Sequence, residues 1–167
     1  TLYDACEEHD AYMSLCSVED VQEDGKSCDP AYFTRPTQEG VFCGKDLLNE
    51  FYTPYGTVYT VAWNKLYRAD IVREHPDVRC NEELDYSEDL YFNLSFIRYA
   101  QQFYALSTPI YNYVQNPDSA VHHLNPFDVL TTRFELTTYY KDLFKHIGLY
   151  EENKYRLNKF FFGVAES

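Results

Sequence analysis

Apolar positions divide the chain into short blocks whose spacing changes from one block to the next. Leu2 to His9 reads as the end of a helix broken at Asp10. Ala11 to Val18 (AYMSLCSV) is a nearly continuous apolar run, the pattern of a strand buried on both faces. Glu19 to Thr37 is polar and turn-rich, a surface excursion with Asp24-Gly25 as a hairpin tip. Lys45 to Tyr52 reads as a short helix. Tyr55 to Thr60 links it to a stronger one over Ala62 to Glu74, where Trp63, Leu66, Tyr67 and Ile71 recur at helical spacing and Pro76 bars continuation.

After a polar loop over Asp77 to Asp85, Ser87 to Gln101 is the best-marked helix. Ser87 is a natural N-cap, Glu88 and Asp89 sit in the first turn, and Leu90, Leu94 and Ile97 form the buried stripe. Phe103 to Leu106 and Ile110 to Val114 are strand-like, interrupted by Pro109. Asn125-Pro126 opens a long helix with Phe127, Leu130, Phe134, Phe144 and Ile147 on its apolar side. Gly148 closes it, and Glu151 to Phe162 forms a last helix. The order predicts a mixed α/β fold with few strands, several helices and a helical tail. Those strands are too few for a self-contained doubly wound sheet.

Composition narrows the functional classes. The 167 residues carry 14 basic and 27 acidic side chains, a formal charge of −13. Nucleic-acid and anionic membrane partners are therefore disfavoured, since both are held by Lys and Arg. The length suits one core, and no apolar stretch reaches the ~18 residues of a membrane span. Aromatic residues make up 18% of the chain, with 17 Tyr, 12 Phe and one Trp. Such rings fill cores and also offer flat faces to polar ligands. Cys6, Cys16, Cys28, Cys43 and Cys80 are odd in number, irregularly spaced and without C-x-x-C, which favours reduced thiols in a cytosolic protein. The chain opens at Thr1, and the expectation is a piece of something longer.

Three constellations could carry chemistry. In Ser87-Glu88-Asp89-Leu90, the two carboxylates either stabilise a helix N-terminus or place a general base at the mouth of a pocket. In Trp63 to Arg68 (WNKLYR), helical spacing puts Trp63, Leu66 and Tyr67 on a core face. Asn64, Lys65 and Arg68 then lie opposite, as a solvated surface or with Lys65 neutralising a phosphate. Tyr111 and Tyr113, at strand spacing, share one face as core or as a stacking platform. In the loop after them, adjacent His122 and His123 point to opposite sides if extended, so only one would join carboxylates around a metal. Signatures for dinucleotide, phosphate, zinc-protease or hydrolase sites are absent.

Taken in order, Val61 to Arg68 (VAWNKLYR), Ser87 to Phe92 (SEDLYF), Thr108 to Tyr113 (TPIYNY) and the loop with Asp118-Ser119 resemble the C-terminal half of a bacterial family 2 glycosyltransferase of the GT-A, Rossmann-like fold. The likeness runs over roughly residues 41 to 125. The opening Leu-Tyr, acidic helix and buried strand also fit the segment that comes after that family's metal-binding acidic motif. The resemblance implies residues 1–125 as the acceptor-side part of the catalytic domain and 126–167 as a C-terminal helical extension.

It further implies inverting transfer of a sugar from a nucleotide-diphosphate donor to a saccharide or lipid-linked saccharide hydroxyl in surface polysaccharide synthesis. Asp89 would be the base and Glu88 its neighbour; Trp63, Lys65, Tyr111 and Tyr113 would bind substrate; and His122 or His123 would touch metal or diphosphate. A divalent Mn²⁺ or Mg²⁺ belongs to the intact enzyme, which would work in the cytoplasm or at the inner face of the membrane. The family's nucleotide-binding half with its D-x-D motif has no counterpart here, because Glu19-Asp20 and Glu23-Asp24 fall in the excursion. By itself the chain is expected to hold no metal, to bind no nucleotide sugar tightly and to be inactive. The competing expectation is a non-catalytic carbohydrate-binding, protein-binding or structural domain.

Overall fold

The computed structural model describes residues 1–29, 35–44, 46, 56–84, 87–118 and 125–162. In chain order the elements are α1 (Leu2–Glu8), β1 (Met13–Val21), β2 (Gly40–Cys43), α2 (Gly56–Thr60), β3 (Lys65–Tyr67), α3 (Ala69–Glu74), α4 (Glu88–Ile97), β4 (Gln102–Val114), α5 (Pro126–His146) and α6 (Tyr150–Phe162). Four strands form one sheet in the order β2-β4-β1-β3. β1 and β4 run parallel, while β2 and β3 are antiparallel edges on β4 and β1. A parallel pair needs a long crossover, which the segment containing α2, α3 and α4 supplies.

Several elements follow from local chemistry. Thr1 and Asp4 close a capping box at the start of α1, and Asp10 leaves it with φ 46. The hairpin tip forms where expected: Gly25 N–H donates to Gln22 O at 2.9 Å and Gln22 N–H to Lys26 O at 2.8 Å. Gly25 has φ 81, a left-handed conformation that glycine adopts without a Cβ clash. Asn125 caps α5 through Phe127 N–H, with Pro126 at the first helical position. All five cysteines are free.

The core lies between the sheet and the later helices. Met13, Leu15, Phe42, Phe103 and Ala105 from the strands meet Leu94, Phe96 and Ile97 of α4, Tyr140, Leu143 and Phe144 of α5, and Leu157 of α6. Burying each large side chain contributes about 1.5–3 kcal/mol. The helical extension therefore shares this core.

Five expectations change. The helix over Ala62 to Glu74 is not formed: Lys65–Tyr67 is a strand with Leu66 opposite Ser14 of β1, and helix starts only at Ala69. Backbone bonds from Cys16 N–H to Asn64 O and from Arg68 N–H to Tyr12 O flank that pairing. The stretch over Tyr55 to Thr60 contains α2. β1 continues through Glu19 and Asp20 to Val21, opposite Asn112 to Val114, so these acidic residues lie on a buried strand and not in the excursion. Pro109 does not split β4. The strand runs through it: Pro109 lies opposite Ser17, and register shifts on both sides of that pair leave extra residues on β4, a bulge of the kind that admits proline to a strand.

The last change concerns α5, whose buried face is Thr132, Leu136, Tyr140, Leu143 and Phe144. Phe127 (77% exposed), Leu130 and Phe134 (70%) point to solvent, whereas Phe144 is buried and Ile147 packs on the core as expected. The helix predicted over Lys45 to Tyr52 lies mostly outside the described residues.

Candidate functional site

A cluster of buried polar side chains lies between α2 and β3. α2 is so short that its last carbonyls lack intrahelical donors, and side chains supply them. Asn64, 1% exposed, donates through Nδ2 to Val58 O at 3.1 Å and to Cys16 O of β1 at 2.9 Å. Lys65 Nζ donates to Val58 O at 2.8 Å, to Asn64 Oδ1 at 2.7 Å and to Val61 O. Its charge lies at the negative end of the helix. The sequence expectation put both residues on a solvated helix face. As a strand entering the sheet, this segment turns them inward instead, and all three Lys65 protons meet oxygens of the chain.

α4 holds the same segment from the other side. Asp89 Oδ2 accepts from Ala62 N–H at 3.1 Å. One turn later, Asn93 Nδ2 donates to Thr60 O at 2.5 Å and to Val61 O at 3.3 Å, and Tyr67 Oη–H donates to Asn93 Oδ1 at 2.7 Å. Residues four apart on a helix share a face, so Asp89 and Asn93 grip one loop together. Ser87 does not cap α4: its φ of 63 is left-handed and its side chain makes no cap bond, whereas a capping residue needs an extended backbone. Glu88 is exposed beside Asp89, which is half-buried.

Trp63 leaves this clamped loop and meets β4. Its ring centroid lies 4.7 Å from that of Tyr111 and 5.2 Å from that of Tyr113, the latter with an interplanar angle of 22°. The two tyrosines share a sheet face, as their spacing predicts. Trp63 and Tyr113 are half-buried and Tyr111 is exposed. The structure thus brings Trp63, Tyr111, Tyr113 and the Asp89-bound loop together. His122, His123 and Ser119 lie outside the described residues. Among those described, no three His, Cys, Asp or Glu side chains gather to hold a metal ion. Asn93 was missed by sequence reasoning. Its only signal was its place one turn after Asp89 on the buried side of α4.

Burial shifts several groups. Lys65 is pushed down to about 7 by desolvation, which outweighs the opposing charges of Asp89 and Cys16. The Tyr67 hydroxyl is pushed far up by desolvation and then by Asp89. The Cys16 and Cys80 thiols are raised, again chiefly by desolvation. Because the fold disfavours the Lys65 ammonium, the unfolded chain holds the extra proton between the folded value near 7 and the ordinary value of 10.5. Stability should therefore rise with pH across that interval, at most by about 1.4 kcal/mol per pH unit for one proton. The Cys16 thiol and the Tyr67 hydroxyl act in the opposite direction, from their ordinary values of 9.0 and 10.0 upward. Denaturant unfolding between pH 7 and 9 isolates the Lys65 contribution, and the slope should disappear in Lys65→Met.

No protein-family model matches the chain, and no curated protein matches it by sequence. Its fold is similar to that of S. aureus TarS 1-349. Against the complex with UDP the identity is 20%, covering 82% of this chain and 34% of that one at a TM-score of 0.52. Against the complex with UDP-GlcNAc the figures are 20%, 82%, 36% and 0.55. The chain spans about a third of the length of the TarS chain it matches. Its α/β architecture, with a four-stranded sheet and several helices, is similar to that of part of the TarS chain. Among the described residues no helix is long and apolar enough to cross a membrane.

Proposed function

We propose that this chain is the acceptor-side part of an inverting, GT-A-type family 2 glycosyltransferase of bacterial surface polysaccharide synthesis. In this reading residues 1–125 belong to the catalytic domain and 126–167 to its helical extension. The observation that carries the proposal is the convergence of Asp89 and Trp63 on one short loop, with Tyr113 stacked and Tyr111 tilted against Trp63. The likeness of fold to TarS, solved with UDP and with UDP-GlcNAc, supports it.

The chemistry asks for two things that these residues supply. An acceptor sugar presents an apolar ring face, which stacks on aromatic rings while its hydroxyls stay hydrogen-bonded. The attacking hydroxyl must lose its proton as its oxygen bonds the anomeric carbon and the nucleoside diphosphate departs from the opposite side. Asp89 is held by Ala62 N–H through Oδ2, which leaves Oδ1 to take that proton. Glu88, exposed next to it, orients acceptor hydroxyls. Lys65 serves the loop and not a phosphate, because its protons are already used. A Mn²⁺ or Mg²⁺ ion and one of His122 and His123 belong to the donor side of the intact enzyme, in a cytoplasmic setting or at the inner face of the membrane.

The test uses the lone tryptophan. Millimolar acceptor oligosaccharide should shift Trp63 emission in the 167-residue chain, whereas calorimetry should detect no micromolar binding of UDP-GlcNAc. Micromolar donor binding would overturn the assignment to the acceptor side. A Trp63 emission indifferent to every saccharide tried would remove the stacking platform.

A further inference from the structure

We infer that Asn93, oriented by the Tyr67 hydroxyl, is the positioning residue that sets Trp63 and Asp89 at a fixed distance from one another. The functional meaning of that distance rests on the acceptor-side reading; the positioning itself does not. Asn93 is 1% exposed and bridges two elements. Its Oδ1 accepts from Tyr67 of β3, and its Nδ2 donates to Thr60 O at the end of α2 and to Val61 O of the loop that follows. An amide could in principle sit either way round. Turned over, it would aim Oδ1 at two carbonyl oxygens, and the Tyr67 proton would lose its acceptor. Both ends therefore select the same orientation.

Asp89, four residues earlier on α4, takes Ala62 N–H. The backbone of residues 60–62 is thus gripped at successive points by one helix face, and Trp63 is the next residue along. A shift of this loop would move the aromatic platform relative to the carboxylate. Tyr67 also packs edge-on against Phe92 and Phe96, so its ring stays anchored when only the hydroxyl is removed.

Trp63 is the only tryptophan of the chain, which gives a direct readout without any activity assay. Acrylamide quenching and near-ultraviolet circular dichroism of Trp63 would be compared in wild type, Tyr67→Phe, Asn93→Leu and Leu143→Ala. Leu143 is fully buried on α5 and makes none of the hydrogen bonds that hold the loop, so it controls for general loss of stability. Tyr67→Phe should raise the quenching constant about twofold and weaken the Trp63 dichroism while the chain stays folded, as local release of the loop requires. Asn93→Leu should do at least as much if it folds, and Leu143→Ala should leave the Trp63 signature unchanged. A wild-type signature in Tyr67→Phe, or an equal change in Leu143→Ala, would overturn the positioning role. Released Trp63 in the variants, with no saccharide response in wild type, would instead remove the acceptor-side reading and leave the positioning intact.

Discussion

Asp89→Asn should lower sugar transfer by roughly 10³-fold, the range for loss of a positioned general base, in a polypeptide joining these residues to a nucleotide-binding half. Donor affinity should hardly change. The substitution is nearly isosteric, and its amide oxygen can still accept from Ala62 N–H in the place of Oδ2. What it loses is the capacity to take a proton, together with a negative charge that favours the Lys65 ammonium. The loss should therefore fall on kcat, with donor binding by calorimetry and the unfolding midpoint close to wild type. Unchanged turnover would remove Asp89 as the base. A non-catalytic carbohydrate-binding domain makes the contrary prediction, since Asp89 would then only hold the loop and there would be no transfer to lose.

The second large effect concerns stability and separates strand from helix over residues 62 to 68. Asn64→Leu should destabilise the fold by about 3 kcal/mol, because it leaves buried carbonyls of Cys16 and Val58 without this donor and takes an acceptor from Lys65. Leu66→Asn should cost under about 1 kcal/mol, since Leu66 is 37% exposed on an edge strand. A helix with Leu66 on its core face and Asn64 in solvent would give the reverse order. Denaturant unfolding of the two variants measures the difference directly, and a larger cost for Leu66→Asn would contradict the observed pairing.

Much of the candidate site was legible as a set of residue types. Tyr111 and Tyr113 were marked by strand spacing, Asp89 by its place in the first turn of a helix, and Trp63 only by the family resemblance, since its spacing read as core. Which way they faced was not legible. The spacing of Trp63, Leu66, Tyr67 and Ile71 fits a helix as well as a short strand followed by a helix. Only the presence of β1 alongside, with hydrogen-bonding groups to pair, favours the strand. Ser87 shows the same limit: its residue type suits a cap, but the chain enters α4 through a left-handed turn that takes the side chain out of reach. On α5, two faces offer large apolar groups, and the one buried is the one that meets the strands and α4, although it includes Thr132 and Tyr140.

What the sequence determined alone is what depends on a few neighbouring residues. The hairpin at Gly25, the start of α5 at Asn125-Pro126, the break after α1 and the apolar run of β1 all follow from dihedral preferences, missing N–H groups and short-range periodicity. The −13 charge likewise stands without any structure. Tertiary structure decided everything that needs a partner distant in sequence. β4 continues through Pro109 beside Ser17 of β1, with register shifts on both sides of that pair that place the extra residues on β4. Lys65 faces inward because α2 ends with carbonyls that require donors. Asp89 and Trp63 meet at one short loop, to which Asn93, thirty-two or more residues from the carbonyls it holds, also ties α4. Hydrogen-bond satisfaction in a buried space is a property of the assembled fold, and no local pattern of residues encodes it.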